Sequence, residues 1–492
     1  MTVEKQTKPP LSCRTNARDC PENRTSDPMT QPVTTSPTIS QQDLLSGVCG
    51  ELPLSESRPV SRRAFLALGV TASALGLLPA CRSARTGRDA GSRLGRLFFT
   101  SQGRTGVIHA DGTGLRYFDF RVADQVTWQP GPFLSDGRRV IFLSMEERRD
   151  GPGRPFDRYY HQTPTHLWLY DLDRDTLTEI ATKDRIAVFY TPALLVSDER
   201  ILVQVVRDQG GQIFSMNLDG TEAGEFTRLG EGLPYGLSLS PDGQRVAYHL
   251  ASPQGYQIWT SNTLGGDRVL VAAHPDYLYF GPSWSPDGHW LLFQDCQFQS
   301  DPGHDWSDVC IAHPDGSDFR VLTSGQAMWF AATYGSPSNR GGGSNVPAWT
   351  PHGQILFPRR SPGAKVPWEF QAKRPDTDHF NRDFKPDAAR GGVQICRLNP
   401  STGQVKPLTP EAPSVWDFRA SASEDGRLIV FCRAETGGVP GLWMMDADGR
   451  HARLLTRGID DQGADHPRWL PHGRASRFSN QPQTKTCNQT PQ

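Results

Sequence analysis

A hairpin phrase recurs along this chain, and its spacing constrains the fold more than any other feature. An apolar strand runs into a Pro-Asp-Gly type turn and a second apolar strand; further on, an Asp-x-Asp-Gly turn precedes an Arg/Leu-Leu-Thr ending. The first turn reads Ser240-Pro241-Asp242-Gly243, Ser285-Pro286-Asp287-Gly288, Thr350-Pro351-His352-Gly353 and Ser423-Glu424-Asp425-Gly426, with weaker copies at Ser135-Asp136-Gly137 and Val196-Ser197-Asp198. Asp-Gly supplies the positive φ of a tight hairpin turn, and the flanking alternation gives a face to pack. Each copy is a small antiparallel sheet that cannot bury its faces without neighbours of its own kind.

Six copies fall at 126–182, 188–230, 233–273, 277–325, 345–410 and 415–458. Two fragments remain. Arg96 to Asp119 at the front carries three strands, and Asp465 to Leu470 at the back restarts the phrase and stops. Joined, they complete a seventh unit. The expected fold is therefore all-β: a seven-bladed β-propeller of four-stranded antiparallel blades over residues 96–473, closed by N- and C-terminal strands sharing one blade. The 48 Gly and 40 Pro, with little helical periodicity, agree.

Net charge is −1, from 52 basic and 53 acidic side chains, so bulk electrostatics offers nothing to a nucleic-acid backbone. A monomer is expected. Residues 1–60 are rich in Thr, Ser, Pro and Gln and read as disordered, as does the tail at 474–492.

Between leader and repeats, Arg62-Arg63 before Phe65-Leu66 resembles a twin-arginine export signal, and Leu78-Pro79-Ala80-Cys81 resembles a lipoprotein cleavage box. These resemblances imply that 1–81 is leader plus signal, that Cys81 receives lipid, that 82–95 is a linker, and that the protein is periplasmic or held at the cell envelope. Export permits disulfides. Cys296 and Cys310 flank one hairpin loop, and either a bridge or two free thiols fits the sequence.

The repeats resemble those of the TolB-like (WD40-like) propeller family, through the Pro-Asp-Gly turns and the second turn at Asp446-Ala447-Asp448-Gly449 and His313-Pro314-Asp315-Gly316. The fold admits binders and enzymes alike. In such a sheet the turns between strands one and two and between three and four share one end, and the long insertions fall at the other: 145–166, 296–308, 326–344 and 359–392. These hold Trp329, Tyr334, Trp368, Asp378 and His379, a mixture of rings and charges suited to a carbohydrate or peptide. Asn345, Asp417 and His466, with Asp465, stand where the channel opens on that end.

A weaker resemblance is to oligogalacturonate lyase propellers, at Asp461-Gln462-Gly463-Ala464-Asp465-His466-Pro467. It implies a divalent metal, manganese or calcium, at Gln462 and His466, with Arg340, Arg382 or Arg419 neutralising a uronate carboxylate. The leading expectation is a lipid-anchored, non-catalytic propeller with a protein or oligosaccharide ligand on its loop-rich end. The alternative is a metal-dependent polysaccharide lyase using the channel mouth. A peptidase of the prolyl-oligopeptidase type would need a Gly-x-Ser-x-Gly elbow, which the sequence lacks.

Overall fold

The computed structural model describes residues 95–470, apart from 102–103, 119–121, 123–124, 147–164, 181–184, 187–192, 198, 208–209, 253–254, 276, 298–306, 328–329, 332–342, 366–367, 371–381, 385–388, 437 and 460–462. The recurring turns are closed by their own side chains. Ser240 Oγ donates to Asp242 Oδ1 (2.5 Å) and accepts from the Arg245 amide (2.9 Å), while the Gln244 amide donates to the same carboxylate and Gly243 takes a φ of 72°. Ser285-Asp287-Gly288 and Ser423-Asp425-Gly426 repeat the pattern. Bonding from the serine hydroxyl, then from the backbone, holds the Asp242 and Asp287 carboxyls below their usual range. The second turn is equally self-contained, with Asp448 taken by Arg450 and Asp446 by His451.

The threonine that ends each phrase also has a structural task. The hydroxyls of Thr227, Thr323, Thr409 and Thr456 accept the third-strand amides of Ile213 (2.9 Å), Val309 (3.0 Å), Ile395 (3.0 Å) and Leu442 (3.2 Å). The short fourth strand is thereby tied down beyond its last ladder bond.

Every regular element among the described residues is a strand, and the fold is a β-propeller of four-stranded antiparallel blades. Four sheets hold four strands each. Strand Arg96–Ser101 pairs with Arg104–His109 on one side and with the last strand, Asp465–Trp469, on the other, through Leu97↔Trp469, Phe98↔Arg468 and Thr100↔Asp465. The remaining three are the 125–179, 233–272 and 277–321 sheets, and the 185–225 sheet has five strands because Arg185–Ile186 and Ala193–Leu195 both pair with Arg200–Arg207. The last sheet departs from the expected seven separate blades. A single parallel pairing, Val393↔Trp416, fuses the 348–407 and 415–454 sets into eight strands, leaving five separate blades beside it.

Central strands are apolar on both faces, so successive side chains serve opposite neighbours. Leu291 and Phe293 pack with Ala247 and Ile258 of the preceding sheet, whereas Leu292 packs with Ile355 and Phe357 of the next. Leu134 and Ile141 meet Ile201 and Val203; Leu202 and Ile213 meet Val246 and Tyr248; Leu356 and Ile395 meet Ile429 and Phe431. The first sheet meets both ends of the series, with Leu97 and Ile108 against Val430 and Leu442, and Phe98 and Val107 against Val140 and Phe142. Tryptophans add a polar stitch between neighbours: the indole N–H groups of Trp284, Trp349 and Trp469 donate to the carbonyls of Ser238 (3.1 Å), Ser283 (3.2 Å) and Ser421 (3.3 Å).

The connections fall into two kinds. Joints between the first and second and between the third and fourth strands lie at one end of a sheet by antiparallel order; joints between the second and third, and between sheets, lie at the other. The long connections, 146–165, 297–307, 321–348 and 360–393, are all of the second kind. Two of them contain hairpins, Phe330–Ala331 with Gly343–Ser344 and Trp368–Phe370 with Arg382–Phe384. Cys310 is a free, buried thiol opposite Phe293, so it takes no part in a bridge with Cys296, whose partner in the ladder is Ser307.

Candidate functional site

The innermost strands carry a register shift near their loop-rich end, and each shift holds a residue at positive φ. In Leu233–Leu239 and Tyr277–Trp284 that residue is glycine, Gly236 (68°) and Gly281 (66°). In Val415–Ala422 and Asp465–Trp469 it is Arg419 (50°) and His466 (54°). The spacing is readable in the sequence, because these four residues stand seven positions before Gly243, Gly288, Gly426 and Gly473. A bulge turns one amide out of the ladder, and that donor needs a partner. The Gly281 amide donates to His249 Nδ1 (3.3 Å) of the preceding sheet, and the Arg419 amide to Asn345 Oδ1 (2.9 Å), which likewise precedes it. The His466 amide donates to Asp465 Oδ1 (2.7 Å).

The two non-glycine bulges bring charge with them. Arg419 Nη1 donates to Asp465 Oδ2, with side-chain exposures of only 9% and 11%. Asp465 Oδ1 also accepts from the Cys432 thiol (3.3 Å), and Oδ2 lies 3.3 Å from His466 Nδ1. One position earlier in the ladder, Asp417 is fully buried and takes Arg433 in a two-point contact of 2.6 and 2.8 Å. Both guanidinium groups are thus matched by a carboxylate of the same cluster.

Burial, then the Arg419 and Arg468 charges, pulls the His466 imidazole down to about 3 against the opposing pull of Asp465. It is neutral at neutral pH. Burial and the Asp465 charge push the Cys432 thiol well up, so it is a thiol and no nucleophile. Burial alone takes His249 to about 3 as well.

The structure thus brings together four of the residues singled out from the sequence: Asn345, Asp417, Arg419 and His466. Asn345 and Asp417 are closed within the wall, 0% exposed and engaged as above. Trp368 and Arg382 lie on the two strands of one small hairpin, their ladder partners being Phe384 and Phe370. Trp329, Tyr334, Arg340, Asp378, His379 and Gln462, with Arg62, Arg63 and Cys81, lie outside the described residues. Among the described residues no three His, Cys, Asp or Glu side chains converge to hold a metal ion. Cys432, Arg433 and His249 were missed; their only signal is their register opposite the bulge. At the other end of the same two strands, a cleft of about 410 Å³ runs between Ser421–Glu424 and Pro467–Leu470.

No family model and no curated protein matches the chain. Solved structures that it resembles include TolB from Acinetobacter baumannii (14% identity over 68% of this chain and 83% of that one, TM-score 0.33). Others are an oligogalacturonate lyase in complex with manganese (15%, 73% and 83%, TM-score 0.44) and a post-proline cleaving enzyme from Rickettsia typhi (9%, 74% and 52%, TM-score 0.47). TolB and the lyase are the two propeller families that the repeats resemble.

Proposed function

We propose that the protein is an exported, lipid-anchored β-propeller that binds a protein or glycan ligand on its loop-rich end and catalyses no reaction. The ring has seven blades. Its closure is supported by the shared sheet of Arg96–Ser101 and Asp465–Trp469 and by apolar contacts running from each sheet to the next. The observation that carries the binding reading is that the four long connections are all of one kind, so a closed ring gathers them on a single rim. The Pro-Asp-Gly end has its polar groups satisfied within each turn. The arginines of the mouth are neutralised within the wall, which favours recognition by the rim over chemistry at the mouth.

One observation favours the lyase reading instead. Nδ1 of the neutral His466 lies 3.3 Å from Asp465 Oδ2, the kind of carboxylate partner that orients a metal-binding imidazole. Full-length protein purified from envelope membranes separates the two. Binding on a glycan or peptide array that is lost in Trp368→Ala, without uronate release, supports the binder; unsaturated product from oligogalacturonate with manganese, lost in His466→Ala, overturns it. Anchoring is tested separately. Palmitate labelling should disappear in Cys81→Ala, and export in the Arg62→Lys, Arg63→Lys double variant.

A further inference from the structure

At the loop-rich end of the 277–321 sheet, two carboxylates share one ladder position. Asp295 on strand Leu291–Gln297 is the Cα partner of Asp308 on Ser307–Ala312 and, on its other side, of Tyr279. Asp295 is 6% exposed. Its Oδ1 accepts the Asp308 amide (2.7 Å), and its Oδ2 lies 3.6 Å from the Cys310 sulfur. Asp308 Oδ1 accepts the Thr323 hydroxyl and the Gly325 amide, both at 2.6 Å, and so holds the segment after the outer strand. The Ser307↔Ala327 bridge lies just beyond, with Ala327 amide and carbonyl both bonded to Ser307.

Among the described residues nothing around the pair balances two negative charges. The groups acting on Asp295 are Asp308 and the Cys310 thiol; the Tyr279 phenol faces it, and the neighbouring sheet presents Ala247, Ile258 and Ala272. No cation stands among them. A buried carboxylate without a cation, beside a second carboxylate, is ionised only at a cost.

We propose that Asp295 and Asp308 form a proton-operated latch at the root of the loop-rich rim, closed while Asp295 carries a proton and loosened when both carboxyls are ionised. In the closed state Asp308 is the charged member, fixed by its hydroxyl and amide donors, and Asp295 is the neutral one. Ionising Asp295 sets two like charges against each other across the Leu291–Gln297/Ser307–Ala312 ladder. That pair connects the 297–307 connection to the strand Cys310 sits on, so loosening exposes Cys310. Burial and the Asp308 charge raise the Asp295 carboxyl from 3.8 to about 6. The closed form therefore holds a proton that the open form has lost between these two values. Opening rises across that interval and levels off above it.

The test is alkylation of Cys310 relative to Cys396 in the full-length protein, resolved by peptide mass spectrometry from pH 4.5 to 7.5. Cys396 is a free, buried thiol on a different sheet and serves as the internal reference. The ratio should rise about tenfold or more by pH 6.5 and then flatten, since each unit of difference is worth a factor of ten. In Asp295→Asn, which keeps an acceptor for the Asp308 amide, the ratio should not respond to pH. In Asp308→Asn, which removes the like charge, the midpoint should move to lower pH. A flat ratio in the wild type, an equal rise in Asp295→Asn, or an unmoved midpoint in Asp308→Asn would overturn the latch.

Discussion

The bulges of the 233–272 and 277–321 sheets and those of the 415–454 set and the closing strand solve one geometric problem with opposite chemistry. In the first pair the residue at positive φ is glycine, which takes that conformation without a Cβ clash. The space above Gly236 is filled by the His249 ring, whose Nδ1 would lie 2.6 Å from an added Cβ. In the second pair a side chain occupies the strained position, at a cost of order 1–2 kcal/mol each. Arg419 and His466 both turn to Asp465. The contrast teaches that the innermost strands are not alike: one pair is shaped by absence of side chains, the other by a buried ionic cluster.

The largest expected effect comes from breaking that cluster. Asp465→Ala leaves Arg419 without its carboxylate at 9% exposure and should cost about 3–5 kcal/mol in urea unfolding. Next is the glycine pair. Gly236→Ala combines a φ of 68° with the His249 contact and should cost about 2–3 kcal/mol, while the same change at Gly243, where a Cβ meets nothing within 4 Å, should cost only about 1 kcal/mol. Equal losses at the two sites would remove the role given to His249.

The two pairs of strands also share a response to acid. His249 and His466 both titrate near 3 when folded and near 6.5 when free, so their contribution is complete above pH 6.5 and is lost progressively as pH falls toward 3. Stability should fall by up to about 1.4 kcal/mol per pH unit for each histidine in that interval. His249→Gln, measured by denaturation at pH 6 and pH 4.5, should lower the slope by up to about 1.4 kcal/mol per pH unit; an unchanged slope would show that the Gly281 amide does not depend on a neutral ring. The smallest effect separates strain from charge. Arg419→Gly and Arg419→Ala both lose the Asp465 contact, but only alanine keeps the strained φ, so the glycine variant should be the more stable by about 1 kcal/mol. Equal stability would mean that the bulge relaxes.

Much of this architecture was legible along the chain. Turn chemistry is local: Ser240, Asp242 and Gly243 satisfy one another within four residues, so their pattern announces a hairpin wherever it occurs. Alternating faces are local too, set by the two-residue period along each strand. The residues of the buried ionic cluster were visible only as types. Asp417 reads as a rim carboxylate until Arg433, opposite it in the ladder, is seen to close over it. Cys310 reads equally as half of a bridge or as a free thiol until its register sets it opposite Phe293. The fusion of the last two strand sets rests on one parallel pairing, for which the chain carries no local sign.

Order along the chain, the hairpins and the two-sided apolar strands follow from interactions between residues a few positions apart, and the amino-acid pattern settled them. Which carboxylate meets which arginine, which histidine receives a bulge amide, and whether two acids share a ladder position depend on register between strands and on contact between sheets. Those pairings join residues as far apart as Asn345 and Arg419, or Arg419 and Asp465. Their energies come from burial and desolvation, which exist only once the sheets have packed.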